Sequence, residues 1–214
     1  MLDIVIPHYK EPWFICRKLF WMLDMQRIVN WNEIRVTVVN DGGQSLPEGE
    51  LKRLSFSVEQ INIPKAGVSA ARNRGMDHGA EPWILFCDCD DCFANIYALD
   101  EILTALRGAE ADVVWAPCLT ELGRIVVPVG AEQNFYFVHG KVFRRAFLAE
   151  HGIRFDEGMI YGEDTKFNTD VLESADRIMQ TRSQAPAYVW IRRGGSVTAS
   201  PRKKEGEHVT AEDA

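Results

Sequence analysis

Residues 83–91, WILFCDCDD, constrain the fold more than any other part of the chain. The apolar run from Trp83 to Cys87 has the length and residue types of a strand buried on both faces, as in a parallel sheet covered by helices. Three carboxylates follow at once: Asp88, Asp90 and Asp91. In open α/β sheets, ligands bind beyond the carboxyl ends of the strands, so these acids fall where a site is expected. Carboxylates this close repel one another unless a cation or basic side chains hold them, and oxygen donors of this kind suit Mg²⁺ or Mn²⁺. An acidic turn facing solvent is the plainer alternative, but it would not require three acids at the tip of an apolar run.

The remaining segments alternate strand and helix patterns, which predicts an α/β fold with a mostly parallel central sheet flanked by helices. Residues 2–6 (LDIVI) form a first strand halted by Pro7 and followed by the loop PHYKEP, and helix-spaced apolar residues run from Trp13 to Met25. Residues 34–39 (IRVTVV) make a second strand, and the turn Asn40-Asp41-Gly42-Gly43 places Asp41 in the same layer of strand ends as Asp88. A third strand is predicted over 56–63 and a short helix over 70–76. Lys65, Gly67 and Arg72 surround the start of that helix, where backbone N–H groups and basic side chains suit a phosphate. An amphipathic helix with its arginines toward water is the plainer account of the same residues.

Beyond the acids, the pattern predicts a helix over 96–106, a strand over 111–116 and a hairpin over 119–129. A helix over 141–151 stopped by Gly152, a helix over 165–172 opened by Glu163 and Asp164, and a strand over 188–191 complete it. Acids at a helix start are favoured by the helix dipole whether or not they do chemistry. Residues 201–214 are charged and poor in apolar side chains, which predicts a flexible tail after a single domain over 1–200, with no internal repeat.

The formal charge of −7 argues against a general nucleic-acid binder. Five cysteines, an odd number, with no secretory signal pattern fit reduced thiols and a cytoplasmic location. Cys87, Cys89 and Cys92 crowd one turn and raise a zinc or iron–sulfur cluster as an alternative, though no fourth soft ligand stands at a recognisable spacing. No apolar run is long enough to cross a bilayer, which leaves peripheral membrane association open.

In order and spacing, the segments IVIPHYKEP, VTVVNDGG, KAGVSAARNRGMDHGAEPWILFCDCDD, HGKVFRRAFL, FDEGMIYGED and YVWIRRGGSVT resemble the family 2 glycosyltransferases of GT-A fold, from residue 2 to about residue 198. The resemblance implies a Rossmann-like GT-A domain with a nucleotide-sugar half over 1–115 and a smaller acceptor half over 116–200. It implies an inverting, hexosyltransferase-type enzyme that uses Mn²⁺ or Mg²⁺, a nucleotide-sugar donor of UDP type and a saccharide or other hydroxyl acceptor. Pro7, Tyr9 and Glu11 match the loop lining the base and ribose, Asp41 the acid that reads the uracil edge, and Arg72 the arginine beside the nucleotide. Asp88 and Asp90 match the DxD pair, Asp88 toward the ribose and Asp90 on the metal, with Asp91 the following acid. Asp164 matches the catalytic base with Glu163 beside it, while Lys141 and Arg144 fall in a stretch that often faces the acceptor. The resemblance thus implies Glu163, Asp91 and Lys141 as further acceptor or diphosphate contacts.

Asn40 departs from the family, where many members carry an acid, and Arg192, Arg193 and His208 are the candidates for a late basic contact to the diphosphate. The lack of membrane helices, unlike processive synthases, implies one transfer per encounter, and the family's commonest use suggests bacterial surface polysaccharide synthesis. Two other functions would leave different marks in the residues. A sugar-phosphate nucleotidyltransferase would carry a glycine-rich loop after its first strand, where this chain has PHYKEP. A catalytically silent nucleotide-sugar binding module would not need both Asp90 and Asp164.

Overall fold

The computed structural model describes residues 1–119, 125–126 and 137–191. The first half of the chain runs β1 (Leu2–His8), α1 (Trp13–Asp24), β2 (Ile34–Asp41), α2 (Glu48–Leu51), β3 (Val58–Ile63), α3 (Val68–His78), β4 (Trp83–Phe86), β5 (Cys92–Phe93) and α4 (Ala98–Leu106). The second half runs β6 (Val113–Trp115), β7 (Cys118–Leu119), β8 (Ile125–Val126), β9 (Lys141–Arg144), α5 (Arg145–Glu150), α6 (Glu163–Ser174), β10 (Ile178–Gln180) and β11 (Tyr188–Val189).

Seven strands form the main sheet in the order β10-β6-β9-β4-β1-β2-β3. β1 is parallel to β2 and β4, β2 to β3, and β6 to β10, while β9 runs against both its neighbours. Alternation sorts the side chains of each strand between two cores. Ile4, Ile6, Val38, Leu85 and Val142 enter one core, and Val5, Val39, Ile84, Phe86 and Phe143 the other. Both faces of the sheet are therefore buried, which is why its strands read as unbroken apolar runs. α1 and α4 cover the first face with Leu19, Phe20, Leu99 and Ile102; α3, α5 and α6 cover the second with Ala71, Phe147 and Phe167. Each large side chain so buried contributes about 1.5–3 kcal/mol relative to leaving it in water. On α3, a Cβ at Gly75 would lie 2.2 Å from Val5 Cγ1, so glycine lets this helix sit directly on the central strand.

A smaller sheet, ordered β5-β11-β7-β8, flanks the acid turn. Its β7–β8 pair, Cys118 opposite Val126 and Leu119 opposite Ile125, is the described part of the hairpin expected over 119–129. The rest of that hairpin, Arg192, Arg193, His208 and the tail over 201–214 lie outside the described residues.

One element differs in kind from the sequence expectation. Residues 141–144, expected to open a helix, form strand β9, and only Arg145–Glu150 is helical. Helical spacing of Val142, Phe143, Phe147 and Leu148 suggested one helix, but the gap between β4 and β6 takes a strand whose Val142 and Phe143 fill opposite cores. Tertiary packing here overrides local periodicity. The short elements α2, β5 and β10 were not foreseen. Among the described residues, no helix is long and apolar enough to cross a membrane.

Candidate active site

The parallel strands β1, β2 and β4 bring His8, Asp41 and the turn after Phe86 to one edge of the sheet. Pro7 is buried at the end of β1, with Tyr9 and Glu11 in the loop beyond it. Glu11 Oε2 accepts from the Tyr9 and Lys10 amides at 3.1 and 3.2 Å, bending that loop back on itself. Lys65 Nζ lies 4.4 Å from the centre of the Tyr9 ring. Asp41 is buried and accepts from the Ala66 and Gly67 amides at 2.6 and 2.9 Å, so it fixes the backbone that opens α3. Asn40 Nδ2 donates to Gly43 O at 2.7 Å and to Asn62 Oδ1 at 2.9 Å. An ionised acid cannot donate, and this pairing gives a physical reason for an amide at position 40.

Arg72, on α3, is the hub of the site. Its Nη1 donates to Asp164 Oδ1 at 2.6 Å and to Glu163 Oε1 at 3.3 Å, and its Nη2 donates to Asp88 Oδ1 at 3.0 Å. The guanidinium is buried and sits 5.1 Å from the Phe155 ring. Burial opposes its charge, but Asp164, Asp88 and Glu163 together hold it protonated more firmly than in water. Burial and the neighbouring Asp164 push Glu163 upward, with Arg72 opposing. Glu163 and Asp164 reach this point because Gly162, at φ +78°, turns the chain into α6. Three carboxylates around one guanidinium leave a surplus of negative charge that favours a further cation.

The acid turn is pinned from the smaller sheet. Tyr188 Oη accepts from the Asp88 amide and donates to Asp91 Oδ2, both at 3.0 Å, while the Ile191 amide donates to Asp91 Oδ1 at 2.7 Å. Burial, then the proximity of Asp88, raises the Asp91 carboxyl to about 9. Asp88 is held below the ordinary carboxylate range: burial works against its charge, but Arg72, through its charge and its hydrogen bond, outweighs it. His139 is buried, stacked at 5.5 Å on Tyr188, and places Nε2 3.8 Å from Asp88 Oδ2 and Nδ1 3.7 Å from Asp91 Oδ2. Burial lowers its pKa and favours the neutral imidazole, the form that binds metals.

Asp88, Asp91 and His139 each offer one ligand atom, all within 4.8 Å of one another. His139 Nδ1 is buried without a hydrogen-bond partner, so this oxygen- and nitrogen-donor set fits a divalent cation. Asp90, expected on the metal, is partly exposed on the same turn and lies outside that trio. The thiol alternative fails: among the described residues no cysteine joins a group able to hold a metal. Lys141 is fully buried in β9, donating to Phe137 O with its Nζ 4.6 Å from the Trp115 ring, and burial lowers its pKa to about 7.

The structure thus joins Arg72, Asp88, Asp91, Glu163 and Asp164 in one cluster and sets Tyr9 and Glu11 in the loop after β1 and Asp41 at the end of β2. Sequence reasoning missed His139 and Tyr188. Both lie in segments noted for other reasons, but only β9 and β11 bring them against the acid turn.

A mostly parallel sheet with acids at its strand ends and a small flanking sheet is the GT-A architecture. The crystal structure of Staphylococcus aureus TarS 1–349 in complex with UDP-GlcNAc matches with a TM-score of 0.77 at 22% identity, over 94% of this chain and 61% of that one. The complex with UDP matches at 0.74 and 21% identity, over 90% and 61%. By sequence, the chain is 22% identical over 224 residues to poly(ribitol-phosphate) beta-N-acetylglucosaminyltransferase TarS of S. aureus (strain Mu50 / ATCC 700699), covering 98% of this chain and 37% of TarS. It is also 22% identical over 229 residues to the uncharacterized glycosyltransferase EpsJ of Bacillus subtilis (strain 168), covering 95% of this chain and 64% of EpsJ. The chain therefore spans less than two thirds of the length of either relative. Residues 3–156 match the Glycosyl transferase family 2 pattern, and the chain belongs to that family.

Proposed function

We propose that this protein transfers a sugar from a UDP-linked donor to a hydroxyl of a saccharide or similar acceptor, with inversion at the anomeric carbon. One observation carries the reading: Arg72, itself buried, ties Asp88, at the tip of β4, to Asp164, at the start of α6, in a single partly buried cluster. TarS has been crystallised with UDP and with UDP-GlcNAc, which supports a UDP-type donor and makes UDP-GlcNAc the first to assay.

In this reading the loop bearing Pro7, Tyr9 and Glu11, together with Asp41, cradles the base and ribose. Asp88, Asp91 and His139, with Asp90 on the same turn, are assigned to Mn²⁺ or Mg²⁺, which when bound neutralises the diphosphate and stabilises the departing nucleotide. Asp164 takes the proton of the acceptor hydroxyl as its oxygen bonds to the anomeric carbon, and the electrons of the broken sugar–phosphate bond leave with UDP. Arg72 positions Asp164 and Asp88, and Glu163 lines the acceptor side. The linkage between strand-end acids and base, rather than the fold, supports catalysis over passive binding.

The test is Asp164→Asn, assayed for transfer from UDP-GlcNAc with Mn²⁺ and for UDP binding by thermal shift. Transfer should fall by about 10²–10⁴-fold, while UDP continues to raise the melting temperature. Full activity in the variant would remove Asp164 from the role, and absence of donor turnover by the unaltered protein would favour the silent binding module.

A further inference from the structure

α1 buries Cys16, Leu19, Phe20 and Leu23 against the sheet and turns a second set of large apolar side chains outward. Phe14 is 64% exposed, Trp21 50%, Met25 49% and Ile28 75%. Their spacing of seven and four residues keeps Phe14, Trp21 and Met25 along one stripe of the helix, and Ile28 follows three residues after Met25, past the helix end. The other exposed residues between 14 and 28 are Arg17 and Arg27, so every exposed side chain in this stretch is apolar or cationic. Arg17 lies 4.9 Å from the centre of the Trp21 ring, an arginine lying on the aromatic it flanks. Ile28 has φ +60°, a left-handed backbone that β-branched residues rarely adopt, and its side chain is the most exposed of the four.

Asp24, the one acid of α1, is only partly exposed and accepts from the Ser55 amide at 2.6 Å, so the exposed side chains of this face are apolar or cationic on a chain with 31 acidic against 24 basic residues and a formal charge of −7. Aromatics beside arginines suit the boundary of an anionic bilayer, where rings enter the headgroup layer and guanidinium groups meet lipid phosphates. Acidic partners repelled by the rest of this surface would still be drawn to this stripe, and a second copy would set arginine against arginine. We infer that the outward face of α1 docks the protein on anionic membrane surfaces. Pro12, at the start of α1, directly follows Glu11 of the donor loop, so docking sets the cleft beside the bilayer without any segment crossing it.

Flotation with vesicles of phosphatidylcholine alone and of phosphatidylcholine mixed with phosphatidylglycerol tests this, with oligomeric state followed by light scattering. The protein should float with the anionic vesicles, not with the neutral ones, and should be released by salt. F14S/W21S and R17E/R27E should each lower that partitioning by roughly tenfold or more, with unchanged melting curves because all four side chains are exposed. No flotation with anionic vesicles overturns the inference, as does equal flotation with both lipids or undiminished flotation of both variants. A concentration-dependent dimer abolished by F14S/W21S, without vesicle binding, would assign the face to a second copy and overturn it equally. Every readout is independent of sugar transfer, so failure here leaves the catalytic reading standing, and the converse holds.

Discussion

Arg72 Nη1 donates to Asp164 Oδ1 at 2.6 Å across 92 positions of sequence. The pair joins α3, in the first half of the chain, to the start of α6, in the second. A lysine could carry the charge but not the geometry. Arginine's planar fork reaches Asp88 through Nη2 and both Glu163 and Asp164 through Nη1, whereas an ammonium is a single point on a flexible stem.

Replacing Arg72 separates these two contributions. Arg72→Met leaves three partly buried carboxylates facing one another and should cost about 3–5 kcal/mol of stability, read from urea midpoints. Arg72→Lys should retain more of that stability and still lose transfer by about tenfold or more, because Asp164 is no longer held in register with the acid turn. Equal activity in Arg72→Lys would show that charge alone suffices.

The parallel sheet was legible because strands buried on both faces leave apolar runs, as in residues 83–87, and because Asp41 and Asp88 both terminate such runs. Arg72 stood out from the residues only as one side of a phosphate cradle at a helix start, and Asp164 entered through the resemblance, since an arginine near a helix start and an acid near another have plain local explanations. What stayed hidden depends on β9. Its local pattern fits a helix, and only the gap between β4 and β6 makes it a strand that carries His139 to the acid turn. Tyr188 was hidden for the same kind of reason: a pairing between β11 and β5, distant in sequence, brings its hydroxyl between Asp88 and Asp91.

Metal binding should report on His139. In the unaltered protein, chelation by EDTA should abolish transfer and Mn²⁺ should restore it. His139→Ala should weaken Mn²⁺ binding, measured by calorimetry, by roughly 10–100-fold, because it removes the nitrogen donor of the Asp88–Asp91–His139 group. Unchanged Mn²⁺ affinity would move the ion elsewhere, and Asp90→Asn measured alongside would show whether that acid carries it.

Gly43 should tolerate no side chain. A Cβ there would fall 1.4 Å from Tyr9 O and 2.5 Å from Tyr9 C, both backbone atoms that no rotamer change can move. Gly43→Ala should therefore pry the β2 turn from the loop after β1, with about 1–3 kcal/mol of lost stability and, on the proposed function, weaker UDP binding. Gly49→Ala is the contrast. It meets nothing within 4 Å and lies inside the short helix α2, so it should raise stability by about 0.5–1 kcal/mol.

Asp112 gives the acid limb of stability a structural origin. Its Oδ1 accepts from Arg144 Nη2 at 2.7 Å, and its Oδ2 accepts from the Asp176 and Arg177 amides at 3.0 and 3.2 Å, clamping the residue before β6 to β9 and to the approach to β10. Burial acts against the carboxylate, but the Arg144 bond and the two amides outweigh it and hold the pKa below the ordinary 3.8. A folded pKa below the unfolded one means the contribution is present above the unfolded value and disappears as pH falls through it toward the folded one. Asp112→Asn replaces an acceptor with a donor facing N–H groups and should cost about 1–3 kcal/mol near neutral pH. The gap between the unaltered protein and the variant, read from urea midpoints, should hold down to about pH 5 and narrow toward about pH 3. A gap that stays constant or widens in acid would mean that Asp112 acts through its shape and not through its charge.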